Sequence, residues 1–309
     1  MQAGIVLVIV SLLVFIVVRL LPGDPMLMYM AREEITTFTP EQLEAKRAQF
    51  GLDKPILVQY IDWMGDTLRG DLGTSLFYRE KVSKLLAERI PVTLHIGIIA
   101  FILSAFFGIL AGTITALRRG QWLDATVTSL ANLGMTVPGF WLGVIGIFVF
   151  GLYLKWLPIY GYTSPFENFW LNTRQLVMPV FCLSVHSIAG TTRQTRSAIL
   201  EVTMQDYIRT AWSKGLLERV IVMRHILKNG LIPIITLQGM HLSHILGGSV
   251  LIETVFNIPG MGRLMVSSVF AYDYPVIQAG VLLSALMIVI ANLAVDVSYG
   301  WFDPRVRFA

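Results

Sequence analysis

Charge is what this sequence has least of. Only 14% of its 309 residues are Asp, Glu, Lys or Arg, against about 25% in soluble domains; an ordinary water-soluble fold is excluded. There is one cysteine, Cys182, so no intrachain disulfide framework can form. No G-x-x-x-x-G-K-[ST] stretch occurs, which excludes a phosphate-gripping loop of that type and an ATPase built on it. H-E-x-x-H and G-x-S-x-G are also missing, which removes the two commonest signals for an intramembrane metallo- or serine hydrolase. The first apolar run has no basic residue before it. It is also too long for the core of a cleaved leader, so a retained first span is expected.

What the chain has instead is apolar length: 55% of it is hydrophobic. About 20 apolar residues cross a bilayer core. The runs place six membrane spans, at 3–21, 92–117, 125–154, 176–189, 231–252 and 275–299. The third is over-long and contains Pro138 and Gly139, where a kink or break is expected. The fourth is weak, and its far end extends through Thr192 towards Leu200. The expected class is an all-α integral membrane protein of six transmembrane helices. Its parts are a first helix (1–21), a small helical extracytoplasmic subdomain (22–91) and a five-helix core (92–309) carrying a cytoplasmic loop at 193–230. With the N-terminus inside, the short inner segments hold eleven Lys and Arg and the short outer loops only three (Lys155, Arg174, Arg263). That bias puts both termini in the cytoplasm.

The long outer loop carries helix signals. Thr39 is a candidate N-cap with Pro40 at N1 and Gly51 as a stop. The stretch that follows has Ile56, Tyr60, Trp63 and Met64 along one stripe. In the inner loop, "DYIRTAWSKGL" (206–216) repeats Ile208, Ala211, Trp212, Gly215 and Leu216 at helical spacing. Asp206, Arg209, Thr210, Ser213 and Lys214 fall on the other face. Asp206 and Lys214 each sit at the end of the helix dipole that suits them. Two readings are open on pattern alone: an interfacial helix lying on lipid headgroups, or a docking helix that fits a groove on a soluble partner.

"DYIRTAWSKGL" followed by "RHILKNGLIP" (224–233) resembles the EAA loop of ABC-importer permeases in its peptide-transporter form. "LLPGDP" (20–25), "FGLDKPILVQYIDWMGDTLRGDLGTS" (50–75), "ETVFNIPGMGRL" (253–264), "YDYPVIQ" (272–278) and "NLAVDVSYGWFDPRVR" (292–307) resemble the same family in family order. Together they point to the B-type permease of the dipeptide, oligopeptide and nickel group. The missing basic start departs from the family, and altered or trimmed first residues are expected. The resemblance implies a type I importer fold and a pore-forming subunit that imports di- or oligopeptides by alternating access. It implies ATPase coupling through Asp206, Tyr207, Arg209, Thr210, Ala211, Lys214 and Gly215. The implied partners are a second permease subunit, two ATP-binding subunits that carry ATP and Mg, and an extracytoplasmic binding protein, with no nucleic acid. The chain itself is expected to hold no cofactor and to be no enzyme. A nickel or nickel-chelate importer is the alternative cargo reading. A self-sufficient channel or ion-driven carrier is the alternative of a different class.

Polar groups inside spans face protein or water rather than lipid. Gln238, His241 and Asn292 are expected near the translocation path, with interhelical hydrogen bonding as the competing role. Asp296 is expected to pair structurally near the cytoplasmic end. His241-x-x-His244 and Cys182-x-x-x-His186 have spacings that can bring two metal ligands together on a helix, but the expectation is no metal site. Gly108-x-x-x-Gly112 and Gly139-x-x-x-Gly143 allow close helix approach. Glu253, Pro259 and Arg263 are expected, by the resemblance, at an outer gate or binding-protein contact, with a plain structural turn as the competing reading.

Overall fold

The computed structural model describes residues 2–20, 44, 47, 48, 51 and 53–302. Thr39, Pro40, most of "LLPGDP", the end of the last motif and the side chain of Asp296 lie outside the described residues. The described chain is helical, with one isolated antiparallel bridge between Thr74 and Lys81 and no strand. In order the elements are α1 (Gln2–Leu20), α2 (Ile56–Leu68), α3 (Val82–Leu117), α4 (Trp122–Thr136) and α5 (Gly139–Gly146, continued as a π-helix over Ile147–Tyr153). Then come α6 (Phe169–Thr203), α7 (Asp206–Ser213), a helical stretch α8 over 218–230 with a π-wound middle (Ile221–Leu227), α9 (Ile232–Val255), α10 (Met261–Phe270) and α11 (Tyr274–Phe302).

Among the described residues four helices are long and apolar enough to cross a membrane: Ala3–Leu20, Val82–Leu117, Phe169–Thr203 and Tyr274–Val295. The expected break at Pro138 is present. Trp122–Thr136 and Gly139–Tyr153 form a broken pair bent by 97°. The proline removes an amide donor, and the residue before it, Val137, is extended (ψ 124°). Helix α9 has 24 residues, about 36 Å at 1.5 Å per residue, in the place of the expected fifth span. It carries Gln238, His241, Ser243 and His244 along its length, and is not among the four apolar ones. The second span begins ten residues before the expected point, because α3 runs through Pro91 instead of starting after it.

The chain divides into two compact units, residues 1–92 with 259–289, and residues 93–258 with 290–309. In the first, Val82, Leu85 and Leu86 of α3 pack with Met261 and Leu264 of α10 and Val276 and Ala279 of α11. Helix α2 rests on α1. Tyr60 Oη lies 3.0 Å from Ser11 Oγ, and Arg19 donates to Gln59 Oε1 at 2.7 and 3.0 Å. Phe15 meets Tyr60 edge-on. The inner stripe of α2 is therefore Gln59, Tyr60, Trp63 and Met64. Ile56, expected in it, sits one turn beyond the contact and is 62% exposed.

In the second unit α6 is central. The most apolar window of α6 is 67% buried, against 22–28% for the windows of the other three spans. This explains its weak apolar signal. A helix enclosed by protein needs no uniformly greasy surface, and α6 buries Ser184, Ser187, Thr191, Thr192 and Thr195. Gly108 and Gly112 let α3 approach it. A Cβ on Gly112 would stand 2.5 Å from the Thr192 carbonyl oxygen, and one on Gly108 2.5 Å from Thr191 Cβ.

Candidate functional site

Helix α7 is the amphipathic segment anticipated at 206–216. Its apolar face is buried within its own unit: Ile208 is 1% and Ala211 6% exposed. They pack with Ala116, Ile199, Ile221 and Ile226. The opposite face is open. The Asp206 and Arg209 side chains are 96% and 75% exposed and approach only to 3.5 Å, a contact of little energetic consequence in water. Tyr207, Thr210, Trp212, Ser213 and Lys214 are also exposed. Trp212 and Leu216, expected on the buried face, stand at its edge and are exposed. Gly215 closes the helix with φ +69° in open space. Backbone conformation, not crowding, is what calls for glycine there.

Two further contacts hold this end of the unit together. Arg196 of α6 grips Asp124 of α4 with two prongs, Nε to Oδ1 at 2.7 Å and Nη2 to Oδ2 at 2.9 Å. The same carboxylate accepts from the Gly120 amide at 3.0 Å, tying in the α3–α4 turn. Asn229 of α8 donates to the Tyr207 hydroxyl at 3.2 Å and to the His225 carbonyl at 2.9 Å. The helix is thus seated on a braced platform and is not dangling from a loop. Neither brace was visible in the sequence, because each joins residues distant in the chain.

The three residues expected on the path are engaged in helix packing. Gln238 is buried and donates to Thr191 Oγ1 at 3.5 Å. His241 occupies the space left by Gly190, whose Cβ would stand 3.0 Å from its Cε1. Asn292 Oδ1 accepts from Ser243 Oγ at 3.1 Å. His244, one helical turn from His241, is instead exposed, and its ring lies 4.9 Å from that of His186 on α6. Among the described residues no group of three or more His, Cys, Asp or Glu is placed to hold a metal ion.

The predicted outer contacts fall in both units. Glu253 is 1% exposed and accepts from Thr93 Oγ1 at 2.7 Å, so its side chain faces the interior of its own unit. Pro259 is half-buried, and its carbonyl accepts from Arg89 at 3.4 Å. Arg263 is half-buried near the start of α10. A residue that the sequence did not single out is Asp273, fully buried in the first unit. It accepts from Ser75 Oγ and from the amides of Leu76 and Phe77, both at 3.1 Å. Burial pushes its carboxyl upward while these donors oppose the shift. The "YDYP" stretch therefore locks the entry of α11 to the segment before α3.

Residues 108–308 match the family described as binding-protein-dependent transport system inner membrane component. Residues 1–97 match the N-terminal region of such components. A Brucella abortus (strain 2308) chain, whose name assigns it provisionally to a peptide transport system as a permease, is 40% identical over 99% of this chain and 96% of its own. The di/tripeptide transport system permease protein DppB of Pseudomonas aeruginosa (strain UCBPP-PA14) is 37% identical over 96% of this chain and 94% of its own. Among solved structures, an inward-facing MetNI methionine ABC transporter chain aligns with a TM-score of 0.59 at 19% identity. The alignment covers 71% of this chain and 96% of that one, and establishes a shared type I importer permease fold. This chain is a multi-pass inner-membrane protein belonging to the binding-protein-dependent transport system inner membrane components, the permease subunits of ABC transporters.

Proposed function

We propose that this chain is the pore-forming permease of an ATP-driven importer of di- and oligopeptides, and that α7 couples it to a partner ATPase. The observation that carries the coupling role is the burial of Ile208 and Ala211. An interfacial helix needs its apolar face free to enter lipid. Here that face is already occupied by Ile199, Ile221 and Ile226. What remains outward is charged and aromatic (Asp206, Tyr207, Arg209, Trp212, Lys214), a composition suited to a protein groove. The peptide cargo is supported by the names of the relatives that match almost the whole chain.

In this reading ATP and Mg sit on two ATP-binding subunits, and a second permease chain completes the pore. A binding protein delivers peptide from outside, and both termini and α7 lie in the cytoplasm. Nucleotide-driven closure of the ATPase pair moves α7; α6 and the end of α3 follow through Ile199 and Ala116, and α4 follows α6 through the Asp124–Arg196 brace. The spans then alternate between outward and inward access.

The test reverses charge on the open face, with Arg209→Glu and Lys214→Glu together. Both side chains are exposed, so melting of the purified chain is expected to stay unchanged. The ATP-binding subunit is expected to be lost on purification, and ATP-driven peptide uptake with it. Survival of both association and uptake would overturn the coupling role. Ala211→Glu is a poorer probe, because it buries a charge among Ile208, Ile221 and Ile226 and would damage folding whatever α7 docks against.

A further inference from the structure

A cavity of 380 Å³ opens in the second unit where the broken span bends. Its wall includes Pro138 and Phe140 from the break, Cys182 and His186 from α6, and His244 from α9. The two histidines and Pro138 lie at the middle of their helical segments. His186 is the central residue of Phe169–Thr203, and His244 is within one residue of the centre of Ile232–Val255. Pro138 falls within one residue of the centre of the bent pair running from Trp122 to Tyr153. Three helices thus bring their midpoints to one hollow. Non-helical backbone at membrane depth is tolerated where protein covers it or where it lines a water-filled cavity. A mid-span imidazole left exposed on its own chain likewise belongs against water, cargo or protein, not hydrocarbon.

The two rings lie 4.9 Å apart, tilted by 36°. A neutral imidazole offers one N–H donor, and a protonated one two. The pair therefore presents at least two donors to the hollow, and the rest of the wall is mostly apolar (Val137, Leu183, Ile245, Leu251, Ile252 among others). The volume falls within the range of small-ligand sites, about 300–1,000 Å³. An apolar hollow with two clustered donors suits the carboxylate end of a small ligand whose opposite, charged end stays outside the hollow.

We infer that His186 and His244 form a cargo-contact site at mid-membrane, where the imidazole N–H groups meet the terminal carboxylate of a short peptide in transit. This rests on the peptide-import reading above. It adds His186 of α6 and His244 of α9 to the path-lining residues expected from the sequence, Gln238, His241 and Asn292.

The test uses the complete transporter with its binding protein in proteoliposomes, and counts Ala-Ala imported per ATP hydrolysed at saturating loaded binding protein. His244→Ala removes an exposed ring, so melting and complex yield should hold. Stimulated ATP hydrolysis is expected to persist while dipeptide imported per ATP falls about tenfold. His244→Gln, which keeps an N–H donor, is expected to recover much of the loss. His186→Phe, which fills the same space without an N–H donor, is the second variant, and the same fall in dipeptide imported per ATP is expected of it. An unchanged dipeptide-to-ATP ratio in His244→Ala, or a fall in ATP hydrolysis parallel to uptake, would overturn the contact site. Absence of ATP-driven Ala-Ala uptake by the unaltered complex would overturn the underlying import reading, and this site with it.

Discussion

Asp273→Ala is expected to be among the most damaging single substitutions outside the membrane spans. Asp273 is fully buried and receives four donors: Ser75 Oγ and the Leu76, Phe77 and Val276 amides. Ser75 has a second role, since its hydroxyl oxygen accepts from the Tyr78 amide at 2.7 Å. That contact survives the substitution. The substitution takes this acceptor away from the Leu76 and Phe77 amides. A buried donor stripped of its acceptor costs about 1–3 kcal/mol, so the two together cost up to roughly 2–6 kcal/mol. Soluble domains of 150–250 residues shift by about 2–4 °C in Tm per kcal/mol, and a fall of roughly 6–12 °C for a loss of about 3 kcal/mol follows by that scale. The assay is thermal unfolding of the purified chain in detergent, with Ser75→Ala as the companion. Residues in one network couple, so Ser75→Ala should cost less in the Asp273→Ala background than in the unaltered chain. A Tm within about 2 °C of the unaltered protein, or strict additivity of the pair, would refute the view that this carboxylate organises the turn.

Two further predictions concern the same fold. Burial raises the Asp273 carboxyl, so the folded state holds its proton more tightly than the unfolded chain. The resulting stability is fully present below the unfolded value of about 3.9 and is lost as pH rises through the raised folded value. The unaltered chain should therefore lose Tm across that window relative to Asp273→Asn; identical pH profiles would contradict the burial effect. Gly112→Ala should destabilise, because its Cβ would stand 2.5 Å from the Thr192 carbonyl. Gly247→Ala, whose Cβ meets nothing within 4 Å, should be neutral or gain up to about 1 kcal/mol from helix propensity; the check is the difference in Tm between the two variants.

Much of this architecture was legible in the sequence for a simple reason. Lipid demands long apolar runs, and a proline in such a run must interrupt the hydrogen-bond ladder, so the bend at Pro138 could be anticipated. The periodicity likewise pointed to α7 and to Ile208 and Ala211 as its buried residues, but it also placed Trp212, Gly215 and Leu216 on that face, and these are exposed. What could not be read was rotational phase. Helix α9 spreads its polar residues around its circumference with no distinct polar face, so nothing in its spacing says which of Gln238, His241 and His244 turns inward. Packing decides it, through the notch at Gly190 that admits His241. Ile56 was misplaced for a related reason: periodicity defines a stripe but not where the neighbouring helix ends. Asp273, Glu253 and the Asp124–Arg196 pair depend on partners 72 to 198 positions away in the chain, and single-chain spacing carries no record of them.

The central claim is that α7 is a cytosolic handle gripped by an ATP-binding subunit. The most direct measurement places a cysteine at position 209 in a Cys182→Ser chain. The only native thiol, Cys182, is buried, so its removal leaves a single reactive position. In intact cells, Arg209→Cys should react only with membrane-permeant thiol reagents, and a short bifunctional reagent should join it to the ATP-binding subunit. Labelling by an impermeant reagent from outside, or the absence of any such adduct in an actively transporting complex, would contradict the account.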